Sequence, residues 1–118
     1  PDYNGAVQDG IAMSQTTIRH GRRMSTAYCY LYPAKDWPNL KVQTHALTEK
    51  VLFDGNRCAG ARYSVDGEMR EAKAAREVLI SAGAINSPQL LELSGIGQAE
   101  RLKGLGIDVV HELNDIFV

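Results

Sequence analysis

Cysteine, charge of one sign and long apolar runs are all scarce in this sequence. The two cysteines, Cys29 and Cys58, stand 29 positions apart with no close-spaced pair, so neither a zinc site nor a disulfide framework is indicated, and a reducing, cytoplasmic setting is the default expectation. Thirteen Lys and Arg against fourteen Asp and Glu leave a net charge of −1, without the basic excess that gathers nucleic acid or anionic membranes. No run approaches the roughly 20 apolar residues that span a bilayer, and no charged start followed by a hydrophobic stretch marks a signal peptide. The three histidines, His20, His45 and His111, lie 25 and 66 positions apart, and none has the i, i+4 spacing of a helical metal pair. No serine sits in a Gly-Xaa-Ser-Xaa-Gly turn, so a nucleophilic triad has no support. No catalytic residue and no metal ligand is assigned.

What is present fits one ordinary domain or part of a larger one: 118 residues, 44% hydrophobic, 23% charged, with 11 glycines. A chain of this size buries roughly two thirds of its unfolded surface and needs no staple. Residues 1–39 are polar and turn-rich, with Asn4-Gly5, Asp9-Gly10, His20-Gly21 and Pro33, and one short helix is predicted after Ser25. From Leu40 the pattern changes. Leu40, Val42, Thr44 and Ala46 alternate with polar residues and predict a strand over 40–46. Residues 49–74, punctuated by Asp54-Gly55-Asn56 and Asp66-Gly67, predict a three-stranded antiparallel meander.

Val78-Leu79-Ile80, running into the small residues Ser81-Ala82-Gly83-Ala84, predicts a buried strand over 77–82 whose carboxyl end something can approach closely. Such ends bind ligands in open α/β sheets. Ser87-Pro88 reads as a helix cap and first helical residue, giving helices over 88–94 and 98–104, and Ile107, Val109 and Val110 suggest a final strand. Gly95-Ile96-Gly97 opens like a dinucleotide fingerprint but lacks the third glycine and follows a helix, so a helix stop and tight turn is the plain reading. A helix-hairpin-helix nucleic-acid module is the rival, opposed by the absence of Lys or Arg in the turn.

The stretch GAINSPQLLELSGIG, Gly83 to Gly97, resembles the second signature of the glucose-methanol-choline (GMC) family of flavin-dependent alcohol oxidoreductases. The matching positions are Gly83, Ala84, Ser87, Pro88, Leu90, Leu91, Ser94, Gly95, Ile96 and Gly97. NLKVQTHALTEKVLF, Asn39 to Phe53, is similar to the family's strand pair beside the flavin adenine, and AREVLISAG to its last dinucleotide-domain strand. Asn4-Gly5, Gln15, Gly21, Arg23 and Ser25 extend the resemblance upstream.

The resemblance implies an α/β fold in which an antiparallel meander and a strand-helix unit form part of a split FAD-binding domain, residues 40–118, with 1–39 near the substrate cavity. It implies FAD as cofactor in the full-length enzyme. It places Thr48, Ser81, Ala82, Gly83, Ala84 and Ser87 beside that cofactor, and Gln15 and Arg23 toward the substrate. Thr48 stands where the family usually has valine, which leaves a main-chain contact intact. Plain alternatives stand beside these roles: small residues for strand-to-helix packing, a simple cap at Ser87, and loop hydrogen bonding at Gln15 and Arg23.

The family's Gly-rich phosphate loop and ribose-binding acid lie upstream of these motifs, and its catalytic His lies downstream; none is in this sequence. After His111-Glu112-Leu113 the family continues into a Pro-Gly turn, whereas here Asn114 to Val118 follow. The expectation is therefore an internal segment of a choline- or alcohol-dehydrogenase-like enzyme, inactive alone and without tightly held FAD. Its partners would be the missing parts of that enzyme, a small alcohol and, through exposed apolar surface, a second copy, but not nucleic acid; membrane association of the full enzyme stays open. The alternative is a stand-alone binding or scaffold module.

Overall fold

In the computed structural model the described residues are 4–7 and 9–114, and the chain divides into two compact units, 1–42 and 43–118. In the first unit a hairpin pairs β1 (Ile18–Arg19) with β2 (Arg22–Arg23) around His20-Gly21, both at positive φ. The helix predicted after Ser25 follows as a π-helical stretch, Ala27–Leu31, running into α1 (Tyr32–Ala34). The Ser25 hydroxyl accepts the Tyr28 N–H at 3.2 Å, occupying one of the amides a helix start leaves unpaired.

The second unit is built on the meander. β3 (Ala46–Asp54), β4 (Arg57–Val65) and β5 (Glu68–Lys73) form an antiparallel sheet in that order. The chain reverses at Asp66 and Gly67 with φ of 53° and 83°, the left-handed pair that suits the twist of a tight hairpin. Two irregularities bend the β3–β4 ladder, one where Glu49 stands without a partner between Thr48 and Lys50, the other between Leu52 and Phe53. The exposed edge strand β5 carries Glu68, Arg70, Glu71 and Lys73, charges that discourage further pairing. Arg62 and Glu71, directly opposite each other, form an ion pair at 2.8 Å.

The predicted strand over 40–46 is not one: β3 begins only at Ala46. Ala46 pairs with Val65, the last residue of β4, so the ladder offers nothing upstream, and His45 at φ 54° leaves the extended region. The strand predicted over 77–82 is likewise absent as a hydrogen-bonded element. Residues 77–81 belong to no ladder because no described strand lies beside them.

The helix predicted from Ser87-Pro88 starts earlier, as α2 (Gly83–Leu93), with Pro88 inside it. Gly83 at φ 92° swings the chain into the helix, and a side chain there would meet nothing within 4 Å, so its constraint is conformational. Ser87 does not cap a following helix. Its hydroxyl reaches back to accept the Ala82 N–H at 3.0 Å, which fixes the entry and leaves Pro88 a position where only one intrahelical bond is lost.

β6 (Ile96–Gly97), α3 (Ala99–Gly104) and β7 (His111–Glu112) complete the unit, with β6 and β7 parallel. The final strand thus falls just beyond the Ile107–Val110 run that suggested it. Gly95, at φ 88°, lies against the Asp108 carbonyl and Val110, and its own carbonyl accepts the N–H groups of Val110 and His111 at 2.8 and 3.1 Å. Gly95 and Gly97 are buried by this crossing, so the turn has no free face to offer a phosphate, against the helix-hairpin-helix rival. Leu102 is fully buried, and Val51 and Val65 complete the buried apolar set, placing the core between the sheet and the helices. Glu92 and Arg101 tie α2 to α3 at 3.2 Å.

Candidate functional site

A groove of about 550 Å3 opens in the second unit between β3, the extended residues 78–82 and one face of α2. This volume is in the range of small-molecule sites, roughly 300–1,000 Å3. Leu47, Thr48 and Val51 form the β3 wall, and Leu90 and Leu93 the α2 wall. Asn86 and Gln89 share that helix wall, because positions 86, 89, 90 and 93 recur at the i, i+3, i+4, i+7 spacing of a single face.

The extended segment contributes backbone. Val78–Ser81 line the groove and make no backbone hydrogen bond with any described residue. Strand alternation half-buries Val78 and Ile80 and leaves Leu79 80% exposed. Ser81 and Ala82 follow with little side-chain bulk, which lets a ligand approach the chain closely. The lining holds no charged residue. Apolar walls, an unpaired peptide edge, two hydroxyls and two carboxamides together suit a flat, neutral heteroaromatic ring with donors and acceptors on its rim. They do not suit a phosphate, which requires cations or converging amides.

Of the residues expected beside the cofactor, the structure brings Thr48, Ser81 and Ala82 together on this groove. Gly83 and Ala84 begin α2 next to it, and Ser87 acts through its bond to Ala82 rather than as lining. Gln15 and Arg23 belong to the first unit, where Arg23 stands exposed opposite Ile18 and Gln15 is exposed outside the regular elements. Asn86 and Gln89 escaped the sequence reading. Their spacing with Leu90 and Leu93 was the available signal, and placing the helix start at Ser87 instead of Gly83 put Asn86 outside the helix.

The GMC oxidoreductase family model matches residues 1–115. The oxygen-dependent choline dehydrogenase of Pseudomonas putida is 53% identical over 115 residues, covering 95% of this chain and 20% of that protein. Among solved structures, pyridoxine 4-oxidase from Mesorbium loti superposes with a TM-score of 0.75 at 28% identity, over 83% of this chain and 19% of that one. An FAD-dependent oxidoreductase from Chaetomium thermophilum gives 0.66 at 30% identity, over 70% and 14%. The chain thus spans about a fifth of the length of the curated relative it matches. Sequence signature, meander and strand-helix unit agree with a family match that runs almost from end to end, and the chain belongs to the GMC oxidoreductase family.

Proposed function

We propose that this chain is a cofactor-holding segment of an FAD-dependent oxidoreductase that converts a small alcohol to an aldehyde, and that its groove takes the adenosine end of FAD. The observation that carries this reading is the uncharged groove walled by Thr48 and Leu90 and edged by the peptide groups of Val78–Ser81, which pair with no described backbone group. Those groups can hydrogen-bond an adenine rim, while Leu47, Val51 and Leu90 pack its faces. Bound FAD would supply the hydride acceptor for alcohol oxidation. Gly83 and Ala84 let the chain pass close to the cofactor, and Ser87 holds the Ala82 end of the groove in place.

Proton removal from the alcohol falls to a residue elsewhere in the enzyme, since the groove is lined by no His, carboxylate or Lys. The similarity to a choline dehydrogenase favours choline or another small alcohol as substrate, with Gln15 and Arg23 directed toward it. The remaining parts of the same enzyme are the natural partners. Alone, the chain self-associates through apolar side chains such as Leu47, Leu79 and Ile85, which are 70%, 80% and 76% exposed. Free Cys29 and Cys58 suit a reducing, cytoplasmic compartment, and among the described residues no helix is long and apolar enough to cross a membrane.

Tight binding of a dinucleotide draws on its pyrophosphate, for which the groove has no partner, so the chain alone should hold FAD weakly. Purified chain is expected to be colourless and, by drawing the adenine away from the flavin ring it stacks on in free FAD, to raise flavin fluorescence saturably only at high protein concentration. Thr48→Trp, which fills the groove from an exposed strand position, should remove that rise. Stoichiometric yellow protein, or a rise untouched by the tryptophan, would contradict the assignment.

A further inference from the structure

Ser94 is buried, with 6% exposure, and its hydroxyl both donates and accepts a hydrogen bond. The Oγ accepts the N–H of Val51 at 2.8 Å and donates to the carbonyl of Leu90 at 2.6 Å. Those two partners face each other across the groove: Val51 belongs to the β3 wall and Leu90 to the α2 wall. Among the described residues β3 pairs only with β4, and on its other edge the Val51 amide would be a buried donor without a described partner were Ser94 absent. Val51 also lies just past the irregularity at Glu49, where the strand changes register between Thr48 and Lys50. One hydroxyl therefore links the helix wall to the strand wall, three residues along β3 from Thr48. Other links anchor the same region but do not span the groove. Glu92–Arg101 joins α2 to α3, and the Gly95 carbonyl joins the end of α2 to Val110 and His111.

We propose that Ser94 is a positioning residue for the groove: its hydroxyl sets the spacing between β3 and α2, and through it the affinity for an adenine nucleotide. The second half rests on the assignment of the groove to adenosine, whereas the spacing itself does not. A small change in wall separation matters because apolar contacts with a flat ring fall away within about an ångström.

The test uses the 15N-labelled chain with AMP as probe, comparing wild type, Ser94→Ala and Ser94→Thr. Cross-strand NOEs between β4 and β5 report whether the sheet is intact, and Val51–Leu90 NOEs report the spacing. With the sheet intact, Ser94→Ala should weaken the Val51–Leu90 NOEs and raise the Kd for AMP about tenfold, the equivalent of one well-made hydrogen bond. Ser94→Thr, which keeps the hydroxyl, should restore both. Unchanged NOEs and affinity in Ser94→Ala would overturn the proposal. If Ser94→Ala does not fold, Ser94→Thr and Ser94→Cys decide: the thiol is a weaker and bulkier partner, so it should widen the spacing while threonine does not, and equal spacing in the two would overturn it. If AMP shifts no groove amide in the wild type, the adenosine assignment fails. The Ser94 spacing claim then stands or falls on the NOEs alone.

Discussion

The meander and the segment 77–82 both read as strands, yet only one of them is hydrogen-bonded as such. β4 has a partner on each side, so its backbone groups are engaged along both edges. Val78–Ser81 show strand-like alternation, with Val78 and Ile80 turned inward and Leu79 outward, and have no ladder at all among the described residues. Side-chain pattern thus determines which face of a segment is buried. Pairing depends on whether a second strand is there to complete it. In the meander the partners come within a few residues, joined by tight turns. In the later segment the Ser87 hydroxyl of α2 anchors the Ala82 end, and no described strand pairs with the residues before it along the groove.

Hydrogen exchange would break this comparison most sharply. Amides of Ala61, Arg62 and Tyr63 in the central strand should exchange slower than those of Leu79, Ile80 and Ser81 by about a thousandfold or more, the span between locally open and cooperatively protected structure. Similar protection in both regions would mean that 78–81 are paired after all.

The next largest effect concerns the packing of the part of the unit that follows α2. Among the described residues Leu102 is the one fully buried large side chain, and Leu102→Ala should lower stability by about 3 kcal/mol, read from the urea midpoint. Gly95→Ala should cost about 2 kcal/mol, because it combines an unfavourable positive φ with a side chain set against the Asp108 carbonyl. Both losses should appear first in amides of α2 and α3, with β4–β5 protection persisting longer. At the small end, Leu79→Lys should change stability by less than about 0.5 kcal/mol, since the side chain is exposed. Sedimentation velocity should nevertheless show reduced self-association, because a lysine on an open edge opposes strand-to-strand pairing.

The meander was legible because its information is local: alternation within each strand and Asp-Gly turns between them. The helix over 98–104 was legible for the same reason, and α3 lies at Ala99–Gly104. The strand predicted over 40–46 failed on a nonlocal fact, the end of β4 at Val65 opposite Ala46. The start of α2 was misplaced because Ser87-Pro88 imitates a cap, while Gly83 supplies the actual entry and the Ser87 hydroxyl serves Ala82. At the groove, Thr48 was singled out from the Asn39–Phe53 resemblance and Ser81 and Ala82 from the small-residue run, and all three are among its lining residues. Asn86 was hidden by that misplaced start, whereas Gln89 lay inside the predicted helix and only its shared face with Leu90 and Leu93 brings it to the groove. Ser94 was visible as a signature position, but its bond to Val51, 43 residues away, depends on tertiary packing that no local pattern carries.

The central claim is that the groove between β3 and α2 takes the adenosine half of the flavin dinucleotide. Parallel NMR titrations of the chain with AMP and with FMN, the two halves presented separately, test it most directly. AMP should shift the amides of Thr48, Ser81 and Ala82 saturably, and FMN should leave them in place. Shifts at those amides with FMN and none with AMP would contradict the claim.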